Sequence, residues 1–303
     1  MSAKDLLLTP RPRHAFAVTE EAVYYGLLDR RRSRLERVES RPLPADAVQL
    51  GPVGLLQVKV DRLKATLENL KGLVGDFPKR AALVVPDAWL RALVLELEAL
   101  PRRREEAEEV IRWRLKKLLP CRPEEVRLDY TPCGANGRVL VVLGLDKPLS
   151  LLEEAFSAQG CELGSIEPVS IALSAVLPAA ARPLVLVSTV GRAMAIVVLS
   201  DGRVQLSRLK LMPQAGARAQ SLALRELSRT AQFLADKGWT AAGFSVVLAA
   251  GEESLAKAVQ LWALEQKGVD VRRLGEPPAP PALVTNPLMT WGLLSAAQPG
   301  EGE

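Results

Sequence analysis

The chain has 303 residues, 48% of them hydrophobic and 25% charged, the balance of an ordinary globular protein long enough for one large or two to three small domains. Forty Lys and Arg against 35 Asp and Glu leave a formal net charge of +5, which allows an acidic partner or an anionic membrane surface but is not the footprint of a nucleic-acid-binding domain. The three cysteines, Cys121, Cys133 and Cys161, lack metal-type spacing and are odd in number, which points to a reducing compartment.

The first nine residues hold too short an apolar stretch for a signal peptide. Residues 14–28, rich in Val, Tyr and Phe, pair with 35–40 as a β-hairpin, and Arg30-Arg31-Arg32-Ser33-Arg34 between them reads as a solvated turn or edge. His14 has no companion for a triad, no Gly-x-Ser-x-Gly elbow is present, and a surface or strand-edge position is expected for it. Pro42, Pro44, Gly51, Pro52 and Gly54 mark a loop. Leu63, Leu67, Leu70 and Val74 then give a helical period over 61–77, and 81–85 is a short buried strand ended by Pro86.

Residues 88–165 read as a second unit. A strand over 90–100 precedes a helix over 105–119, strands over 126–131 and 138–145 turn at Asn136-Gly137, and a helix over 149–158 stops at Gly160. The order β-α-β-β-α is a two-layer α+β module. Its first helix starts with Glu105, Glu106, Glu108 and Glu109 and ends with Lys116 and Lys117, which complements the helix dipole. Ala107, Val110, Ile111, Leu115, Leu118 and Leu119 share one face, and Pro120 stops the helix. Arg112, Trp113, Arg114 and Lys116 lie off that face, so Trp113 is either covered by a neighbouring subdomain or exposed as a partner's anchor.

Past the module, 170–176 is a helix, and 184–187, 193–199 and 205–211 are strands. The apolar region 184–199 is broken by Gly191-Arg192 and falls short of the roughly 20 residues of a membrane span. A helix over 221–236, a strand over 244–248, a helix over 254–266 and a strand over 269–274 follow. After a loop at 277–281, a last helix over 287–297 carries Trp291, expected in the core, and the tail after Pro299 is expected to fray. Two β-rich halves, each followed by helices, point to a duplicated α/β fold, and a cytoplasmic location is expected.

Two segments carry a family resemblance. The helix 105–119 with Pro120 and then Val126-Arg127-Leu128-Asp129-Tyr130 resembles the helix, proline turn and Leu-Asp-Tyr strand of PilM-type type IV pilus assembly proteins. Asn286-Pro287-Leu288-Met289-Thr290-Trp291-Gly292-Leu293-Leu294 resembles that family's closing helix with its Gly-Leu pair. The order of elements along nearly the whole chain is also similar to the cytoplasmic part of GspL-type secretion proteins. The resemblance implies an actin-like duplicated core, of the actin, Hsp70 and FtsA type, with an inserted β-α-β-β-α subdomain. Its expected parts are a first actin-like subdomain at 1–87, the insertion at 88–165, a return to the first subdomain at 166–182, a second actin-like half at 183–286, and a closing helix and tail at 287–303.

In that superfamily two Asp-x-Gly-x-x-Ser/Thr hairpins cradle phosphates through backbone N–H groups, and an Asp orients a Mg²⁺-bound water. In register with the first hairpin, Ala17 stands for the Asp, Thr19 for the Gly, Ala22 for the hydroxyl residue and Tyr24 for the usual Lys, while Glu20 and Glu21 put negative charge at the phosphate position. In the second, Ser188 replaces the Asp and Val190 the Gly. At the adenosine turn Gly251 survives, followed by Glu252 and Glu253. Taken singly, these glutamates read as solvated turn and helix-start residues; the missing Asp and Gly residues nevertheless imply a pseudo-ATPase with no catalytic residue, cofactor or metal.

By resemblance, a short N-terminal peptide of a PilN-like inner-membrane protein binds in a groove between the first subdomain and the inserted one. Here that implies a groove between helix 61–77 or strand 81–85 and the module, with Arg112, Trp113, Arg114 and Lys116 as partner-binding residues. Contact with the assembly ATPase and a place at the inner face of the inner membrane, held there through partners, are also implied. Two rivals remain. An active ATPase or sugar kinase of this fold needs an Asp-x-Gly hairpin, which the sequence lacks; a filament-forming cell-division homologue would change its size-exclusion behaviour with ATP.

Overall fold

The computed structural model describes residues 13–134, 137–178, 180–213, 216–239, 243–249, 253–279 and 286–296. The first nine residues, Asn136, Gly251, Glu252 and the tail after Pro299 lie outside these, so the expectations for them are not addressed by the structure. Each half of the chain builds a five-stranded sheet. The first joins β1 (His14–Val18), β2 (Ala22–Leu28), β3 (Leu35–Pro42), β6 (Arg80–Val85) and β10 (Glu162–Pro168) in the order β10-β6-β1-β2-β3. The second joins β11 (Leu184–Val190), β12 (Ala193–Ser200), β13 (Arg203–Leu211), β14 (Phe244–Ala249) and β15 (Val269–Arg273) in the order β13-β12-β11-β14-β15. In both, a three-strand antiparallel meander is extended by two parallel strands, the fourth beside the first and the fifth beside the fourth. Two sheets of one topology make the duplication plain.

Parallel neighbours need crossovers, and helices supply them. In the first half these are α1 (Val60–Val74) before β6 and α3 (Asp146–Ser157) before β10; in the second, α5 (Ala217–Asp236) before β14 and α6 (Glu253–Leu264) before β15. Leu63, Leu67 and Leu70 of α1 and Leu149, Leu152, Ala155 and Phe156 of α3 share one core with Phe16, Val23 and Leu83 of the first sheet. The opposite face of that sheet packs on α4 (Val169–Ser174) and α7 (Pro287–Ala296), and this core continues into Leu184, Leu186 and Val197 of the second half. The Gly-Leu pair of α7 has a packing reason: a Cβ at Gly292 would lie 3.0 Å from Val84, and one at Gly26 would lie 3.1 Å from Leu293. Trp291 is half-buried beside this core, its indole N–H donating to the Gly275 carbonyl at 2.8 Å.

Four expectations need correction. The stretch 42–54 is not merely a loop, because β4 (Val48–Gly51) and β5 (Gly54–Val58) form a hairpin whose short strands are masked by proline and glycine. Gly54 is required there: its φ is +132° and a Cβ would come 2.2 Å from the Trp89 carbonyl. The division at 165 cuts through β10, which pairs with β6, and α3 packs on the first sheet; the self-contained insertion is β7 (Arg91–Glu96), α2 (Arg104–Leu115), β8 (Val126–Pro132) and β9 (Arg138–Leu145), with its own sheet β7-β9-β8. Helix α2 stops at Leu115, one turn short of the expected 119, and a turn bonded from the Leu118 N–H to the Leu115 carbonyl at 2.8 Å leaves Leu118 exposed. Finally, His14 is not at a sheet edge: β1 is the central strand, and the half-buried imidazole lies 2.9 Å from the Tyr25 hydroxyl, with burial and then Arg13 holding its pKa below the usual value.

Candidate functional site: a filled cleft and an open groove

The first turn that would cradle phosphate is closed upon itself. In the β1–β2 turn the Thr19 hydroxyl accepts the N–H groups of Glu21 at 3.2 Å and Ala22 at 3.1 Å, and the Thr19 N–H donates to the Ala22 carbonyl at 2.9 Å. Backbone donors available to an anion in an Asp-x-Gly hairpin are thus used by the chain itself. Ala17 is buried within β1, opposite Tyr24. Glu20 accepts the indole N–H of the buried Trp89 at 3.1 Å, so its carboxylate fastens the turn to the segment after β6. Between β11 and β12, Val190 pairs with Ala193 across the two-residue turn Gly191-Arg192, and the Arg192 carbonyl accepts the Met212 N–H at 2.7 Å. Glu253 opens α6 and pairs with Arg273 at 2.6 Å.

Ser188 has the partner that sequence reasoning missed. Asp87, two residues past the end of β6, is 6% exposed. One of its carboxylate oxygens accepts the Ser170 N–H at 3.2 Å and the Ser170 hydroxyl at 2.5 Å; the other faces the Ser188 hydroxyl at 3.4 Å. Ser170 lies in the first turn of α4 and Ser188 in β11, so one carboxylate ties the first sheet, the connecting helix and the second sheet together. Burial pushes its pKa up to about 6, against the opposing pull of the Ser170 and Ser188 hydrogen bonds. Both oxygens are taken by protein donors, which makes the cluster an internal tie. The available sequence signal was an acidic residue directly after a proline that ends an all-apolar strand.

A groove of about 390 Å³ opens instead between the first sheet and the inserted module. One wall is β10, from Leu163 to Pro168; the other comes from Arg127 to Thr131 of β8 and from Leu140 and Val142 of β9. Both β10 and β8 are edge strands, and edge strands carry main-chain donors and acceptors that no neighbouring strand uses. Around the rim Arg127 holds Asp146 at 2.8 Å and Glu153 at 2.6 Å, and Asp129 pairs with Arg104 at 3.0 Å.

The four residues expected to bind a partner do not line this groove. Helix α2 covers the module's sheet on the side of Val139 and Val141, whereas the groove is lined by Leu140 and Val142, which alternate to the other face. Arg112 donates to the carbonyls of Pro123 at 2.5 Å and Val126 at 2.9 Å, fastening a 3₁₀ turn at Pro123–Glu125. Trp113, Arg114 and Lys116 are exposed, and the Lys117 ammonium sits 5.6 Å from the Trp113 ring centroid. Helix α1 packs on α3, and β10 stands between β6 and the groove, so on the side of the first sheet the wall is β10 and neither helix 61–77 nor strand 81–85. The module also reaches the second half: Arg138 donates to the Gln205 carbonyl at 2.7 Å and to its side-chain oxygen, and the Gln205 amide donates to the Cys133 carbonyl at 3.3 Å.

Among the described residues no helix is long and apolar enough to cross a membrane, and no group of three or more His, Cys, Asp or Glu could hold a metal ion. No protein-family model and no curated protein sequence matches the chain. Solved structures do. A chain of the "PilM-PilN type IV pilus biogenesis complex" aligns with a TM-score of 0.71 at 15% identity, covering 96% of this chain and 100% of that one. A Bacteroides thetaiotaomicron protein "with actin-like ATPase fold and unknown function" aligns with a TM-score of 0.55 at 12% identity, covering 93% and 96%. The cytoplasmic domain of EpsL, from the type II secretion system of Vibrio cholerae, aligns at 0.49 and 10% identity, covering 93% of each chain. With its two sheets of matching topology and the first two of these likenesses, the chain has an actin-like α/β fold.

Proposed function

We propose that this protein is a non-hydrolysing scaffold of the PilM type, which takes a short N-terminal peptide of a PilN-like membrane protein into the groove between β10 and the inserted module. The observation that carries the reading is the pairing of a self-satisfied nucleotide cleft with an open groove walled by two edge strands. An extended peptide can add to a sheet edge through main-chain hydrogen bonds while alternate side chains enter pockets. Leu140, Val142, Leu163 and Ile166 supply apolar wall for such side chains. The likeness to the PilM-PilN complex supports the class of partner. Contact with the assembly ATPase, and a place at the inner face of the inner membrane reached through these partners, belong to the same proposal.

Calorimetric titration with a peptide from the cytoplasmic N-terminus of a PilN-like membrane protein tests the groove. Val142→Arg should abolish binding while circular dichroism stays unchanged, and Trp113→Ala should leave the affinity as it was. The opposite pattern would move the peptide onto α2. For the cleft, millimolar MgATP should give no thermal shift, although ligand at tenfold excess over Kd would stabilise by about 1.4 kcal/mol. A clear upward shift would refute the loss of nucleotide binding.

A further inference from the structure

Helix α2 carries a surface that the groove leaves unused. Trp113 is 66% exposed and Leu118 52%, although the same helix buries Ala107, Ile111 and Leu115 completely. Those three recur every fourth residue on the stripe facing the module's sheet, and Trp113, two positions from Ile111, points to the opposite side. Leu118 was released to solvent when the helix ended at Leu115.

Charge around the two apolar side chains is predominantly basic, with the exposed Glu109 one helical turn before Trp113 as an acidic neighbour. Between Glu109 and Glu124 the chain has no acidic residue, but it has Arg112, Arg114, Lys116, Lys117 and Arg122. Arg112 is committed to backbone carbonyls, and Lys117 lies over the indole. Arg114, Lys116 and Arg122 are exposed and form no ion pair among the described residues. Towards the start of α2, Glu106 and Glu108 pair with Arg103 and Arg104, which leaves Glu109 as the acidic residue of the helix nearest Trp113. The patch is a helix end and its turn, with no strand edge to which a peptide could add.

We propose that this patch docks the protein directly on an anionic phospholipid surface, with Trp113 and Leu118 entering the headgroup layer and Arg114, Lys116, Lys117 and Arg122 facing lipid phosphates. An indole partitions to the membrane interface because its ring is apolar and its N–H polar. Lysine and arginine side chains rest their stems on apolar surface while keeping their charge in the headgroup region, and negative surface potential attracts each of them. This contact is separate from peptide binding in the groove, and it would bring the protein to the bilayer without a protein partner.

Co-sedimentation of the full chain with phosphatidylcholine vesicles, with and without 30% phosphatidylglycerol, is the test. Binding is expected only with phosphatidylglycerol and should weaken as salt is raised. Arg114→Gln with Lys116→Gln should lower the partition coefficient by about thirtyfold, at roughly fivefold per cation. Brominated lipid should quench tryptophan fluorescence in the parent, and Trp113→Phe should remove most of that quenching. Equal binding to neutral vesicles, no binding at low salt, or full binding by the Gln double variant would each overturn the proposal. Capture of a single-stranded oligonucleotide or polyglutamate in place of vesicles would also overturn it, reassigning the patch to a polyanion.

Discussion

The cleft around Asp87 and the groove beside β10 treat polar groups in opposite ways. In the cleft polar side chains bond within the protein: Thr19 takes two N–H groups of its turn, Glu20 takes the Trp89 indole, and Asp87 takes Ser170 and Ser188. In the groove two edge strands face space, with carboxylates and an arginine at the rim. A buried donor left without a partner costs about 1–3 kcal/mol, so buried polar groups are paired within the protein wherever no ligand serves them. An edge strand on the surface bears no such cost while water serves it, and it stays available to another chain.

The largest expected effect tests whether the cleft is packed. Trp89→Ala removes a buried indole along with its bond to Glu20 and should cost about 3–5 kcal/mol in urea unfolding. A loss under about 1 kcal/mol would mean that this region is open, and the contrast with the groove would collapse.

Next comes Asp87, whose carboxyl is raised from 3.8 to about 6. A raised acid pKa means that the folded state binds the proton more tightly than the unfolded chain, so this stabilisation is complete below about pH 4 and is lost as the pH rises through 6. Two pKa units correspond to about 3 kcal/mol. Asp87→Asn keeps a neutral side chain at every pH. Its stability relative to the parent should therefore move in its favour by about 3 kcal/mol between about pH 4 and pH 8, measured by denaturant midpoints. An unchanged difference would place Asp87 in contact with water.

Smaller effects sharpen the comparison. Thr19→Ala frees two turn N–H groups and should cost about 1 kcal/mol, read as a lower melting temperature. Arg127→Ala removes two ion pairs at the groove rim; because the partners are more than a third exposed, it should change stability by under about 1 kcal/mol. Trp113→Ala, at an exposed site, should stay within about 0.5 kcal/mol of the parent. A loss above about 2 kcal/mol in either of the last two would make that surface part of the core.

The local elements were largely legible in the sequence. The strand expected over 138–145 is β9 residue for residue, and the helices expected over 61–77 and 221–236 appear as α1 and α5 with shifted ends. Their apolar periods are local properties of the chain. That Ala17, Thr19, Ser188 and Val190 are neither Asp nor Gly is likewise written in the residues themselves. Tertiary structure decided which surface covers each apolar face. The stripe of α3 could have closed the inserted module, but it packs against α1, which carries β10 into the first sheet and opens the groove along its edge. Asp87 shows the same limit: a carboxylate after a proline is unremarkable in sequence, and only the meeting of β6, α4 and β11 removes it from water and raises its pKa. Periodicity tells a residue which way to face, whereas burial depends on segments a hundred residues away that arrive on the other side.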